Sequence, residues 1–141
     1  MDKSLNYKMP VELEYNQKLK YLLISAKGNP TVRETDIAMD AICSSDSYCS
    51  DVNSLLDTRE LLFDHIDFEY IQSFISVRKK FNDARGLAKV AILSNSRLAA
   101  PLIKLFTILS KDLNQKIQVF KTMQEAELWL CEDLLNGSDD S

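Results

Sequence analysis

The stretch that decides the reading of this chain is Leu87–Phe106, LAKVAILSNSRLAAPLIKLF. Val90, Ala91, Ile92 and Leu93 are apolar without a break, the pattern of a strand covered on both faces, as in a parallel sheet. After the polar turn Ser94-Asn95-Ser96, apolar residues recur at Leu98, Pro101, Leu102, Leu105, Phe106 and Leu109, which is one face of a helix. The stretch is therefore one strand-turn-helix unit. Its turn admits two readings. A helix N-terminus offers free N–H groups and a positive dipole, so Ser94, Asn95, Ser96 and Arg97 suit a carboxyl or phosphate group. Ser and Asn are equally the preferred caps of any helix, and the glycines of a phosphate-wrapping loop are missing, which favours capping.

The same unit repeats on either side. Toward the N-terminus, Val11–Tyr15 alternates as a half-buried strand, Asn16-Gln17-Lys18 is a turn, and Leu19–Ala26 is a second strand, so the two are expected to form an antiparallel hairpin closed by Gly28-Asn29-Pro30. Thr31 and Glu34 make a T-x-x-E capping box ahead of a helix over Val32–Ser44, with Ile37, Ala38, Ala41 and Ile42 facing inward. Asn53–Thr58 reads as a short buried strand. A connection over Leu61–Asp67 leads to a helix from Phe68 to Gly86, in which Ile71, Phe74, Ile75, Arg78 and Phe81 fall at helical spacing. Toward the C-terminus, Lys116–Lys121 alternates as the last strand. Thr122 and Glu125 open a final helix carrying Ala126, Trp129, Leu130 and Leu134, which stops at Asn136-Gly137. The order β-β-α-β-α-β-α-β-α predicts an α/β fold with a mostly parallel sheet and an antiparallel N-terminal edge hairpin. Residues 1–10 are expected to be a flexible N-terminus, 11–136 one domain, and 137–141 an acidic tail.

With 141 residues, 45% hydrophobic and 27% charged, the chain has the size and composition of one globular domain. Seventeen Lys and Arg against 21 Asp and Glu leave a net charge of −4, which argues against nucleic acid as a partner. No segment has the length and apolarity of an integral membrane helix or a secretory signal, so the cytoplasm is the expected location. The basic run Arg78, Lys79, Lys80 and Arg85 reads first as a solvated helix face and second as a small anion-binding patch. Cys43, Cys49 and Cys131 form no metal or disulfide pattern; Cys43 and Cys131 read as core residues and Cys49 as exposed.

Several strings resemble the STAS domain and its SpoIIAA-like fold, and in particular small stand-alone bacterial proteins of the STAS/SEC14-like group. They are VELEYNQKLKYLLISAKGNPT (11–31), SLLDTREL (54–61), KVAILSNSRLAAPLIKLF (89–106) and KIQVFKTMQEAELWL (116–130). The resemblance implies a regulatory or protein-interaction module. In anti-sigma-factor antagonists of this fold, a serine between the central strand and the following helix is phosphorylated and releases a partner. The equivalent region here, LLFDHIDFEY (61–70), has no Ser or Thr, and the nearest hydroxyls are Thr58 and Ser73. Asp64 and Asp67 supply negative charge where a phosphate would stand. The partner-interface candidates are therefore Asp64, His65, Asp67 and Tyr70, for a protein partner or a second copy of the chain. The SEC14-like side of the resemblance implies the alternative, a carrier or sensor of a small apolar or acidic, lipid-like ligand beside the helix from Phe68, with Ser94–Arg97 on its head group.

Catalysis has little support. Asp64 and His65 suit general-base chemistry, but no activated nucleophile or G-x-S-x-G elbow accompanies them. One histidine with scattered carboxylates makes no metal site, and no cofactor motif is present. Asp57, expected at a strand end, resembles the acceptor of a receiver domain, yet LISAKG lacks the acidic pair such a domain needs; a hydrogen bond to the next loop is the expected role.

Overall fold

The computed structural model describes residues 10–132 and 134. Its elements are β1 (Val11–Asn16), β2 (Tyr21–Gly28), α1 (Val32–Ser44), β3 (Asn53–Leu61), α2 (Phe68–Lys80), α3 (Asn82–Arg85), β4 (Lys89–Leu93), α4 (Ala100–Leu109), β5 (Lys116–Phe120) and α5 (Met123–Leu130). The strands make one sheet in the order β1-β2-β3-β4-β5, antiparallel between β1 and β2 and parallel elsewhere. Apart from the added turn α3, this is the expected order.

Each parallel strand lies beside its predecessor and always on the same side. A right-handed crossover then returns every connecting helix to the same face. Accordingly α1, α2 and α4 cover one face, leaving the other to α5. The period-two alternation of the strands divides the core between these layers. Ile24, Leu56, Val90 and Ile92 point to the three-helix side. Tyr21, Leu55, Ala91 and Leu93 point to α5, where they meet Ala126 and Leu130. A one-residue slip in register would exchange the two sets.

Local chemistry sets the boundaries. The Thr31 hydroxyl accepts from the Glu34 N–H at 3.1 Å, and the Glu34 carboxylate accepts from the Thr31 N–H at 2.9 Å, completing the box that starts α1. Such a cap is worth about 1 kcal/mol. Thr122 likewise accepts from the Glu125 N–H at 3.2 Å at the start of α5. Gly86, at φ +56, ends α3 in a conformation that L side chains rarely adopt.

Five expectations need correction. β3 continues to Leu61, because Lys27 and Gly28 pair with Glu60 and Leu61 beyond a register shift in β2. The helix from Phe68 breaks at Phe81 (φ −104, ψ 9), giving α2 and α3. On α1 the inward residues are Thr35, Ala38, Met39 and Ile42, while Ile37 and Ala41 are exposed; the helix is turned by one position relative to its apolar pattern. Leu98 is 90% exposed, since α4 begins only at Ala100. Leu134 is exposed too, beyond the end of α5. The expectations of a flexible start, a stop at Asn136-Gly137 and an acidic tail fall on residues 1–9 and 135–141, outside the described residues. Among the described residues, no helix is long and apolar enough to cross a membrane.

Candidate functional site

Between the sheet and its three-helix layer lies a cavity of about 160 Å3. Its floor is Ile24, Leu56, Val90 and Ile92; Ala38, Met39 and Ile42 of α1, Ile71 and Phe74 of α2, and Ile103 and Phe106 of α4 form the roof. Along β3 its lining runs from Ser54 to Leu61. Its upper end, at the C-terminal ends of the parallel strands, is lined by Pro30, Phe63, Ile66 and Tyr70. Its lower end, at the strand starts, is lined by Arg78, Arg85, Ser54 and Gln115.

The lower end is chemically unusual. Arg78 is 5% and Arg85 4% exposed. Among the described residues, no carboxylate stands within ion-pair distance of either guanidinium. Arg78 donates to Ser110 Oγ at 2.5 Å and to Gln115 Oε1 at 3.2 Å, and it stands 5.2 Å from the centre of the Phe106 ring. Gln115 is itself fixed, donating to the Gly86 carbonyl at 2.7 Å. Arg85 donates to the carbonyls of Ser50 at 2.6 Å and Val52 at 2.8 Å, and to Ser54 Oγ at 3.3 Å. A guanidinium carries five N–H donors. Arg78 spends two and Arg85 three, so N–H groups of both have no partner among the described residues. Burial, followed by the nearby charge of Arg85, lowers the Arg78 pKa to about 10. Burial also lowers that of Arg85, against the weaker pull of Cys43, Asp51 and Tyr48.

The first reading of the basic run as a solvated face therefore holds only for Lys79 and Lys80, which are exposed. Arg78 continues the stripe Ile71–Phe74–Ile75 into the interior, and Arg85 follows from the short α3. The signal was present in the sequence: a cation standing in an apolar helical register.

The residues singled out from sequence fall elsewhere. Ser94 is buried and its N–H bonds to the Phe120 carbonyl at 3.0 Å, while Asn95, Ser96 and Arg97 are exposed. Ser96 Oγ accepts from the Ala99 N–H at 3.3 Å, capping the turn that leads into α4; the N-cap position of the helix itself is Ala99, with no side-chain bond. None of the four lines the cavity. In the other group, Asp64 is exposed and Asp67 caps α2 by accepting from the Tyr70 N–H at 2.8 Å. His65 and Tyr70 come together: the Tyr70 hydroxyl donates to the Pro30 carbonyl at 2.6 Å, His65 Nε2 lies 3.3 Å from the same oxygen, and the rings meet edge to face at 5.1 Å. The pair ties the β3–α2 connection to the β2–α1 turn over the upper end of the cavity. His65 Nδ1 is buried with no hydrogen-bond partner among the described residues. Burial, then the Glu34 charge, raises the Tyr70 pKa.

Asp57 is bound by Arg59, at 3.0 Å to Nε and 2.9 Å to Nη2, and these bonds hold its carboxyl below the usual range. Thr58 is buried and donates to the Leu93 carbonyl at 2.8 Å, so its hydroxyl is occupied. Ser73 is exposed on α2. Among the described residues, no three His, Cys, Asp or Glu side chains gather as metal ligands.

The sheet order, the edge hairpin and the placing of the helices define a SpoIIAA-like fold. A solved structure with this architecture is that of an uncharacterized protein of the DUF3478 family from Shewanella loihica PV-4, described as having a SpoIIAA-like fold. It superposes with a TM-score of 0.59 at 19% sequence identity, over 86% of this chain and 92% of that one. No protein-family model matches the chain, and a search of curated proteins gives no match either.

Proposed function

We propose that this chain is a non-catalytic STAS-like binding module of the cytoplasm that holds a small apolar molecule between its sheet and the α1–α2–α4 layer. The observation that carries this reading is the cavity itself. Cores pack at crystal-like density, with few voids larger than a water molecule. A part-open space of about 160 Å3 lined mostly by aliphatic and aromatic side chains leaves apolar surface facing water unless something fills it. A space of this order is too small for a two-chain lipid. The occupant is a single short chain or one ring.

Titration with octan-1-ol, followed by 1H–15N correlation spectra, tests the reading. Saturable shifts concentrated on β3, α1 and α2 are expected, and Ala38→Leu, which fills part of the space, is expected to weaken them. Absence of saturable binding in the wild type refutes it.

A second reading rests on a different observation. Leu62 and Phe68, about half exposed, flank Asp64, His65 and Asp67 on the β3–α2 connection. That exposure supports a protein partner or a second copy docking there. The phosphoserine switch has no support, because Thr58 is buried and the connection carries no hydroxyl residue. Light scattering across a concentration series tests self-association, which Leu62→Ser with Phe68→Ser is expected to abolish.

A further inference from the structure

We infer that Arg78 and Arg85 form the head-group site of the cavity, and that its ligand is a carboxylic acid with a short apolar chain. The inference rests on the cavity being a ligand site at all, and it adds which chemical class enters and which way round.

Three observations support it. Two guanidiniums are buried at one end of a mostly apolar cavity, and no carboxylate of the described protein pairs with them. Buried charges are normally paired, because an unpaired one costs several kcal/mol. Next, both side chains are held in place by bonds that leave further N–H groups unspent. Arg85 is clamped by two backbone carbonyls, and Arg78 by Ser110 and a Gln115 that is itself anchored. Fixed donors of a guanidinium match the two oxygens of a carboxylate. Finally, the lining runs along β3 from Ser54, beside Arg85, to Leu61 at the far end, so a chain attached to the acid would lie over Leu56 and beneath Phe74. The desolvation of both cations is already built into the fold, so an arriving anion gains their attraction without that cost. The acid end thus lies at the strand starts, at the opposite end of the strands from the Ser94–Arg97 turn.

The test compares octanoate with octan-1-ol, which share a chain and differ in the head group, by spectral titration at neutral pH. Octanoate is expected to bind about ten- to a hundredfold more tightly, the range for hydrogen bonds to a charged group. It alone should shift the Nε–H resonances of Arg78 and Arg85. Arg78→Met should remove the preference while leaving octan-1-ol binding in place. Equal affinities in the wild type, or a preference that survives Arg78→Met, overturn the head-group assignment and leave the cavity reading standing. Binding of neither probe overturns both. If Arg78→Met does not fold, the wild-type affinity ratio and the two arginine resonances still decide.

Discussion

Replacing Arg78 by methionine should leave the stability of the protein almost unchanged, although it removes a nearly inaccessible side chain with two hydrogen bonds. The arithmetic follows from the site. A guanidinium whose pKa falls from its ordinary value above 12 to about 10 carries a folding cost of about 3 kcal/mol at neutral pH, since 1.36 kcal/mol attaches to each factor of ten in proton affinity. The sign is that of a base with a depressed pKa. Folding is favoured above the unfolded value, and that advantage is lost as the pH falls through 10, so the whole penalty is present at pH 7. Methionine, unbranched and of similar reach, removes the penalty. It also forfeits the bonds to Ser110 and Gln115, together worth about 2–3 kcal/mol. The two sums nearly cancel, and the net change should lie within about 1 kcal/mol of zero. Urea unfolding followed by far-ultraviolet circular dichroism measures it, with an unchanged m-value confirming that the same surface is exposed. A loss above about 3 kcal/mol refutes the reasoning. It would mean that Arg78 is a structural support and not a cation kept in place for something else.

Arg85→Met should behave differently, because it strands the Ser50 and Val52 carbonyls; a loss of about 2–5 kcal/mol in the same urea assay is expected. Thr31→Ala removes the cap of α1 and should cost about 1 kcal/mol, with amide exchange speeding up in the first turn of that helix alone. Asp57→Asn should flatten the acid limb of stability. The Arg59 bonds depress the carboxyl, so their contribution is present above the ordinary carboxylate range and is lost as the pH falls through the lowered value. Because the pair is partly open to water the effect should stay below about 1 kcal/mol, read as the difference between wild type and variant in urea melts from pH 5 down to 2. Tyr21→Phe removes a 2.7 Å bond to Glu127 and should cost about 1–2 kcal/mol below pH 10, again by urea melts. Burial and Glu127 raise the phenol above its ordinary pKa, so the advantage over phenylalanine should shrink as the pH climbs past 10.

The fold was legible because its signals are local. The run Val90–Leu93 marks a strand covered on both sides, and Thr31 with Glu34 marks a helix start; neither needs knowledge of what lies opposite. Leu98 misled because helical spacing cannot tell the first turn of a helix from the chain leading into it. Ile37 and Ala41 misled because α1 has two nearly equivalent apolar phases, and packing on β1 and α2 selects the one through Met39. The site was harder to see. Arg78 and Arg85 look like Lys79 and Lys80 in a list of charges, and only the register of Arg78 with Ile71 and Phe74 separates them. The space they face is formed by four helices and four strands converging from across the chain, and no sequence window contains it. His65 and Tyr70 were singled out together, but their shared acceptor, the Pro30 carbonyl, lies 35 residues before His65.

The stepwise strand order bears on how the polypeptide assembles as it leaves the ribosome. Every strand's ladder partner is the one synthesised just before it, so each new β-α segment can dock onto a template already in place. The opposite side is served differently. Tyr21, Leu55, Ala91 and Leu93 stay bare until α5, the last of the described elements, arrives to cover them. Nascent chains stalled before Met123 should therefore be the sticky ones, and the chaperone-dependent interval of synthesis should end when Leu130 emerges.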